Sequence, residues 1–390
     1  MQTPQKIAIV GSGLVGTLLA IYLKKLGHTV HVYDRSPDIR KINFSGRSIN
    51  LVMSNRGWRA LEKIGLVDEI KQIGIPVDKR AIHLPHEPLN YQYYGKEGEA
   101  IFSLSRGNLN KKMVDLAEQA GVTFFFNHKV WDVTLNTATL HEGKEERGVW
   151  NELKYDKIFG ADGAFSRVRH RMQRQSMFNY SQEFIPLGYK ELHIPANADG
   201  THKLDKNSLH IWPRGNFMLM ALANPDGTFT CTLFMPHQGE NSFETLKDKS
   251  KLVDFFAEYF PDTKEVLPNL IEDFYRNPTS YLVTMKCYPW AFEDKVALIG
   301  DAAHAIVPFY GHGMNAGFED ITILMEKINQ YGDDWTTIFK EYQLARKPNA
   351  DAIAELSYRN FMEMSAKTAD AKFLLQKKIE KWFSEKLHLS

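Results

Sequence analysis

Residues Lys6–Arg35 read KIAIVGSGLVGTLLAIYLKKLGHTVHVYDR, and the hydrophobic period changes twice within them. Lys6–Val10 is a short β-rich run. Leu14, Leu18, Leu19, Tyr22 and Leu26 then recur at helical spacing, Gly27 suits a helix C-terminus, and Thr29–Tyr33 is a second β-branched run. Gly11, Gly13 and Gly16 form G-x-G-x-x-G where the first run turns into the helix. The first glycine permits the tight turn, the second lets a pyrophosphate approach the backbone, and the third lets helix and strand pack closely. Asp34 ends the second run about 20 residues on, where a carboxylate can hold ribose hydroxyls. Strand, helix, strand and acid in register predict a dinucleotide-binding unit on a parallel sheet. They do not choose between a nicotinamide and a flavin.

The whole chain bounds the other possibilities. Its 390 residues suffice for two domains or one large interrupted one, and 43% hydrophobic with 24% charged residues is an ordinary globular balance. A net charge of +1 offers no general attraction to nucleic acid, so none is expected as a partner. Cys231 and Cys287 lie far apart, which predicts neither a disulfide scaffold nor a cysteine-rich zinc site and fits a reducing cytoplasm. The start, MQTPQKIAIVGSG, passes almost directly into a strand, so no signal peptide is expected. No window approaches the roughly 18 uncharged apolar residues of a membrane span. The histidines show no HExxH-type spacing, so no metal is expected, and the oligomeric state is left open.

Two later segments repeat the logic of a strand ending on an acid. DKIFGADGAFSRVRHRM places Asp162 and Gly163 after a short strand and before a basic helix start. KVALIGDAAHAIVPFYGHGMNAGFED places Asp301 at the carboxyl end of the run 295–299, the edge of an open parallel sheet where ligands bind. An acid there can accept hydrogen bonds from a polyhydroxyl chain, and the turn Gly313-Met314-Asn315 offers backbone N–H groups to a ring edge or phosphate. A plain helix N-cap accounts for Asp301 equally well on its own. It does not account for three such segments in this order.

The trio GSGLVG, FGADGAFSRVR and LIGDAAHAIVPFYGHGMNAGFED resembles the single-component flavin-dependent aromatic hydroxylases with the para-hydroxybenzoate hydroxylase fold. SGRSINLVMSNRGWRALEKIGL, YQYYG, SLHIWPRGNFMLMALANPDGTFTCTLFMP and DAIAELSYRNFMEM narrow the resemblance to its kynurenine-hydroxylating members, over essentially the whole chain. The resemblance implies bound FAD, NADPH as a transient co-substrate, O2, and L-kynurenine hydroxylated to 3-hydroxykynurenine through a flavin hydroperoxide. In such chemistry the cofactor carries the reaction and the protein supplies orientation and dryness, so no catalytic nucleophile or triad is expected. A flavin monooxygenase acting on another aromatic remains the alternative, and a non-catalytic nucleotide-binding module is disfavoured by the intact Asp301 segment.

The implied fold is α/β: a discontinuous Rossmann-like FAD-binding domain (1–75, 97–178 and 280–330), an inserted, mainly antiparallel β-sheet substrate domain (76–96 and 179–279), and a C-terminal helical region (331–390). Runs at 208–212, 216–224 and 228–234, with NPDG as the turn between two of them, are the strands of that inserted sheet. The resemblance assigns Arg80, Tyr94 and Asn360 to the substrate head group. It assigns Gly11, Gly13, Leu14, Gly16, Asp34, Arg35, Arg106, Val130, Asp301, Pro308, Gly313, Met314 and Asn315 to FAD, and brings Arg47 near the flavin's path. As residue types alone, Arg80 is also served by a solvated surface position and Arg106 by a local salt bridge. Met218, Met220 and Phe234 are candidates for the pocket wall. LLQKKIEKWFSEKL, with Trp382 and Phe383, reads as an amphipathic surface helix.

Two departures from the family pattern stand out. His312 takes the place of a glutamine in the glycine turn. The chain also stops at Ser390, before a C-terminal segment that family members carry, so a missing lid and wasteful NADPH use are expected.

Overall fold

A computed structural model describes residues 3–42, 50–95, 98–143 and 148–362. Arg47 and the stretch bearing Trp382 and Phe383 lie outside the described residues, as does the side chain of Asn360.

Two large sheets organise the described residues. The first has six strands in the order Ala291–Phe292, Val296–Leu298, Lys157–Gly160, Lys6–Val10, Thr29–Asp34, Thr123–Phe126. All neighbours are parallel except the first pair. Strands buried on both faces need apolar side chains throughout, and Ile7, Ala8, Ile9 and Val10 comply. Helix Leu14–Lys25 packs against this sheet and helix Gly313–Tyr331 packs in turn on that helix, and the core continues through Phe159, Phe318, Trp335 and Phe339.

The second sheet has seven strands: Ser280–Tyr288, Asn179–Ile194, Phe229–Pro236, Phe217–Ala223, Ser208–Arg214, Lys79–Ile82, Asn90–Tyr93. Neighbours are antiparallel except Ser208–Arg214 beside Lys79–Ile82, which run parallel because the chain enters the sheet from two separate segments. The NPDG turn forms as expected, with Gly227 at φ +85°. Side chains alternate between two apolar clusters. Phe217, Leu219, Phe229 and Leu233 pack with Phe255, Phe256 and Phe260 beneath helix Lys249–Tyr259, while Met218, Leu209, Ile211 and Phe234 look toward the first sheet.

One strand departs from the expected grouping. Residues 280–288 were assigned with the FAD-binding stretches, yet they form the edge strand of the seven-stranded sheet, registered against Asn179–Tyr189. Buried Leu282, Met285 and Cys287 are interspersed with half-buried and exposed residues, which suits an edge strand rather than a parallel strand buried on both faces. A small sheet of Lys129–Thr134, Thr139–Gly143 and Asn151–Lys154 flanks the first sheet, and a three-stranded one joining Asn50–Met53, Ile101–Ser105 and Ile75–Val77 meets the seven-stranded sheet through Asn50 and Ser103.

The glycine turn is set by contact. A methyl group at Gly16 would overlap the Gly11 carbonyl oxygen, and one at Gly11, whose φ is +107°, would overlap the Ala161 carbonyl. Gly13 is different, with no atom within 4 Å of where its Cβ would stand. We therefore expect Gly16→Ala to cost about 1–3 kcal/mol of stability, as overpacking does. Gly13→Ala should unfold within about 0.5 kcal/mol of the wild type. Chemical denaturation of the two variants checks this, and equal losses would contradict it.

Candidate active site

The carboxyl ends of the parallel strands open on a cavity of about 510 Å³, roofed by the seven-stranded sheet. Gly13 and Leu14 begin the first helix on one side, and Asp301, Pro308, Gly313, Met314 and Asn315 form the next. Leu209, Met220, Leu222 and Phe234 make the apolar wall, and Arg80, Tyr94 and Arg106 complete the lining.

Each polar group reaches the cavity for a local reason. Gly13 caps the first helix with an extended backbone (φ −67°, ψ 173°) and no side-chain cap, so first-turn amides remain to face an anion. Asp301 opens the short helix Asp301–His304 just after Gly300, whose φ of +62° turns the chain off the preceding strand. Its carboxylate makes no hydrogen bond among the described residues and is open to the cavity. Burial within the protein pushes its pKa up, against the pull of His304 and Arg106 and with a further push from Asp320.

Arg106 begins helix Arg106–Gln119, capped by Ser105, and forms no ion pair among the described residues. Arg80 and Tyr94 come from adjacent strands. Arg80 Nε donates to the Tyr94 hydroxyl at 3.3 Å, and its guanidinium lies 5.1 Å from the ring centroid. Burial pushes the Tyr94 phenol up, with Arg80 partly opposing, so it stays a proton donor at neutral pH.

Other expected residues lie elsewhere. Gly11 and Gly16 shape the turn from behind. The Asp34 carboxylate accepts from the Ser12 amide and hydroxyl at 2.8 and 2.7 Å and from the Ser36 amide at 2.8 Å, and exposed Arg35 follows it. The Val130 side chain is given over to the core at 5% exposure, and Met218, at 0%, shares a strand face with Met220 and Leu222 but is packed within the apolar cluster of Ile82, Leu209 and Phe234. The Asn315 side chain is committed to protein: Oδ1 accepts from Ser54 N, and Nδ2 donates to the Val52 and Gly311 carbonyls. Asp162 accepts from the Ser166 hydroxyl and the Arg167 amide, so the second acid motif anchors its own helix rather than facing the cavity.

Sequence reasoning missed the carboxylate that holds the Asp301 turn. Asp320 is fully buried; its Oδ2 accepts from the Gly300 amide at 3.0 Å and meets His304 Nε2 at 2.6 Å, while Oδ1 accepts from Arg346 Nε at 2.8 Å. Burial pushes Asp320 up, but His304 and Arg346 outweigh it and hold the carboxyl below its usual range. Arg346 also reaches Glu319 at 2.7 Å and the Ala316 carbonyl at 3.2 Å. The signal was the acidic pair ending GFED, but its partner stands 26 residues away on another helix. His312 also lines the cavity; burial pulls its pKa down to about 4, so it presents a neutral imidazole, uncharged like the glutamine it replaces.

These residues fit FAD. An uncapped helix N-terminus suits a pyrophosphate, an unpaired Asp301 suits a hydroxylated chain, and the Gly311–Met314 backbone leaves room for a flat ring. A Rossmann-like sheet joined to a roofed cavity with such donors is the architecture of a flavoprotein monooxygenase. The family described as "FAD binding domain" matches residues 5–357. The kynurenine 3-monooxygenase of Flavobacterium johnsoniae is 73% identical over 99% of this chain and 86% of its own length, and that of Christiangramia forsetii is 64% identical over the same shares. The solved tetrameric 2-methyl-3-hydroxypyridine-5-carboxylic acid oxygenase shares the fold, with a TM-score of 0.77 at 20% identity over 96% of this chain and 95% of that one. The chain belongs to the kynurenine 3-monooxygenase family.

Two outcomes follow from the electrostatics. Asp301→Asn should weaken FAD binding in a fluorescence titration while leaving the FAD-free protein about as stable as the wild type at pH 7, because the exposed carboxylate forms no hydrogen bond among the described residues. Arg346→Met should cost about 3–5 kcal/mol by stranding Asp320, and adding Asp320→Asn should recover part of it. Because Asp320 is held low, its contribution is full above the ordinary carboxylate range and is lost as pH falls through its folded value. Acid unfolding of Asp320→Asn should therefore be less steep than that of the wild type.

Proposed function

We propose that this chain hydroxylates L-kynurenine to 3-hydroxykynurenine, using FAD, NADPH and O2, in the cytoplasm. The enzyme class and the substrate follow the close relatives; the residue roles rest on the cavity. The observation that carries them is Arg80. It is half-buried in the cavity wall, meets a tyrosine hydroxyl, and has no carboxylate partner among the described residues. A guanidinium so placed matches the carboxylate of an amino-acid substrate, with Tyr94 adding a second donor.

FAD, reduced by NADPH, supplies the oxygen-activating chemistry. Gly13, Leu14, Asp301, Arg106 and the Gly313–Asn315 backbone would hold it. Leu209, Met220, Leu222 and Phe234 exclude water from the space where the aromatic ring lies, which protects a reactive oxygen donor from wasteful decay. In this division of labour, 1–75, 97–178 and the stretch after 288 serve the cofactor, and 76–96 with 179–288 cover the substrate.

The purified protein should be yellow, and kynurenine should accelerate its NADPH oxidation with 3-hydroxykynurenine as product. Arg80→Met should raise the kynurenine dissociation constant roughly ten- to hundred-fold, the worth of a charge-assisted contact of about 1.5–3 kcal/mol, with FAD affinity unchanged. Wild-type kynurenine affinity in that variant would remove Arg80 from the head-group site.

A further inference from the structure

The wall above the cavity is apolar apart from Arg80 and two hydroxyls on one strand. Strand Phe229–Pro236 sends Phe229, Cys231, Leu233 and Met235 into the core beneath the helices, so the alternate residues Thr230, Thr232 and Phe234 face the cavity. Thr230 is occupied, donating to Asn50 Oδ1 and accepting from Asn224 Nδ2, both at 3.2 Å. Thr232 is not. It is 6% exposed, lines the cavity, and its hydroxyl has no hydrogen-bond partner among the described residues. A cavity-facing hydroxyl that no protein group engages is free to pair with a ligand, and the cavity is the direction from which one can come.

The sheet register says which part of a ligand would reach it. Thr232 is paired with Met220, Met220 with Ile211, and Ile211 with Ile82, two residues along the strand from Arg80. Three strand-to-strand steps of about 4.8 Å and two residues along the strand separate the backbones, roughly 16 Å in all. The arginine stem crosses part of that gap. An aryl amino acid gripped by its carboxylate at Arg80 spans the remainder and brings its aromatic end to Thr232.

We propose that Thr232 is a specificity-determining residue whose hydroxyl oxygen accepts a hydrogen bond from the ring amino group of the substrate. The inference rests on the function proposed above. A threonine hydroxyl can accept or donate. Accepting from the arylamine N–H leaves the nitrogen lone pair conjugated with the ring and strengthens its electron release, so the contact that recognises the amine also prepares the ring for an electrophilic oxygen. Donating to the neighbouring ketone would withdraw density instead.

The test uses FAD-loaded protein with Thr232→Val, which keeps the shape and removes the hydroxyl, and Thr232→Ser, which keeps the hydroxyl. Each is titrated with kynurenine and with the analogue carrying hydrogen in place of the ring amino group. Thr232→Val should weaken kynurenine binding about three- to ten-fold, the worth of a neutral hydrogen bond, and leave the analogue's affinity unchanged. Thr232→Ser should restore kynurenine binding, and FAD affinity should not move in either variant. Unchanged kynurenine affinity in Thr232→Val, or an equal loss for both ligands, would overturn the assignment while the proposed function stands. A wild type that does not bind kynurenine at all would sink the proposed function, and this inference with it.

Discussion

The carboxylate of Asp320 receives three donors from two distant parts of the chain, and the cavity depends on that convergence. The Gly300 amide and His304 bracket the short Asp301–His304 helix, while Arg346 arrives from the long helix Trp335–Met362. Gly300 holds a left-handed backbone conformation that directs the next residue, Asp301, into the cavity. A turn of that kind, four residues long, has little stability of its own. It is held because releasing it would strip a buried carboxylate of two of its three donors. The chemistry-bearing acid is thus exposed to the cavity because a second acid, hidden behind it, is not.

A similar division separates the two sheets. The parallel sheet is apolar on both faces and supplies a rigid edge of strand ends, where Gly13 and Asp301 stand. The seven-stranded sheet has one face against helices and one face free, and the free face becomes the wall over the reacting ring. Arg80 reaches that wall through a parallel pairing inside an otherwise antiparallel sheet, because the Lys79–Ile82 strand comes from a stretch far earlier in the chain. The head-group site and the apolar wall therefore share one hydrogen-bonded frame, so their spacing is set by strand separation rather than by loops.

Much of the cofactor side was legible in the residue order. Gly11, Gly13 and Gly16 mark a crossing too close for side chains, and a local turn of that kind is written in consecutive residues. Asp301, Pro308 and the Gly313–Asn315 turn could be read for the same reason, since each lies within a few residues of a strand end. Val130, Met218 and the Asn315 side chain could not be placed. Which side of a strand meets the core, and which polar atoms neighbouring segments consume, depend on register with partners distant in sequence.

The sequence by itself determined the dinucleotide-binding unit, the acid at each strand end and the resemblance that points to an aromatic hydroxylase, because all are carried by short-range patterns of glycine, acid and hydrophobic period. Tertiary structure alone decided that Asp162 anchors its own helix whereas Asp301 is open to the cavity. It also decided that residues 280–288 join the wall sheet, that Asp320 and Arg346 meet, and that Thr232, unlike Thr230, has no hydroxyl partner among the described residues. Apart from Asp162, whose partners Ser166 and Arg167 are local, the deciding quantity is a hydrogen-bonding partner supplied or withheld by a distant segment, and no local pattern encodes that.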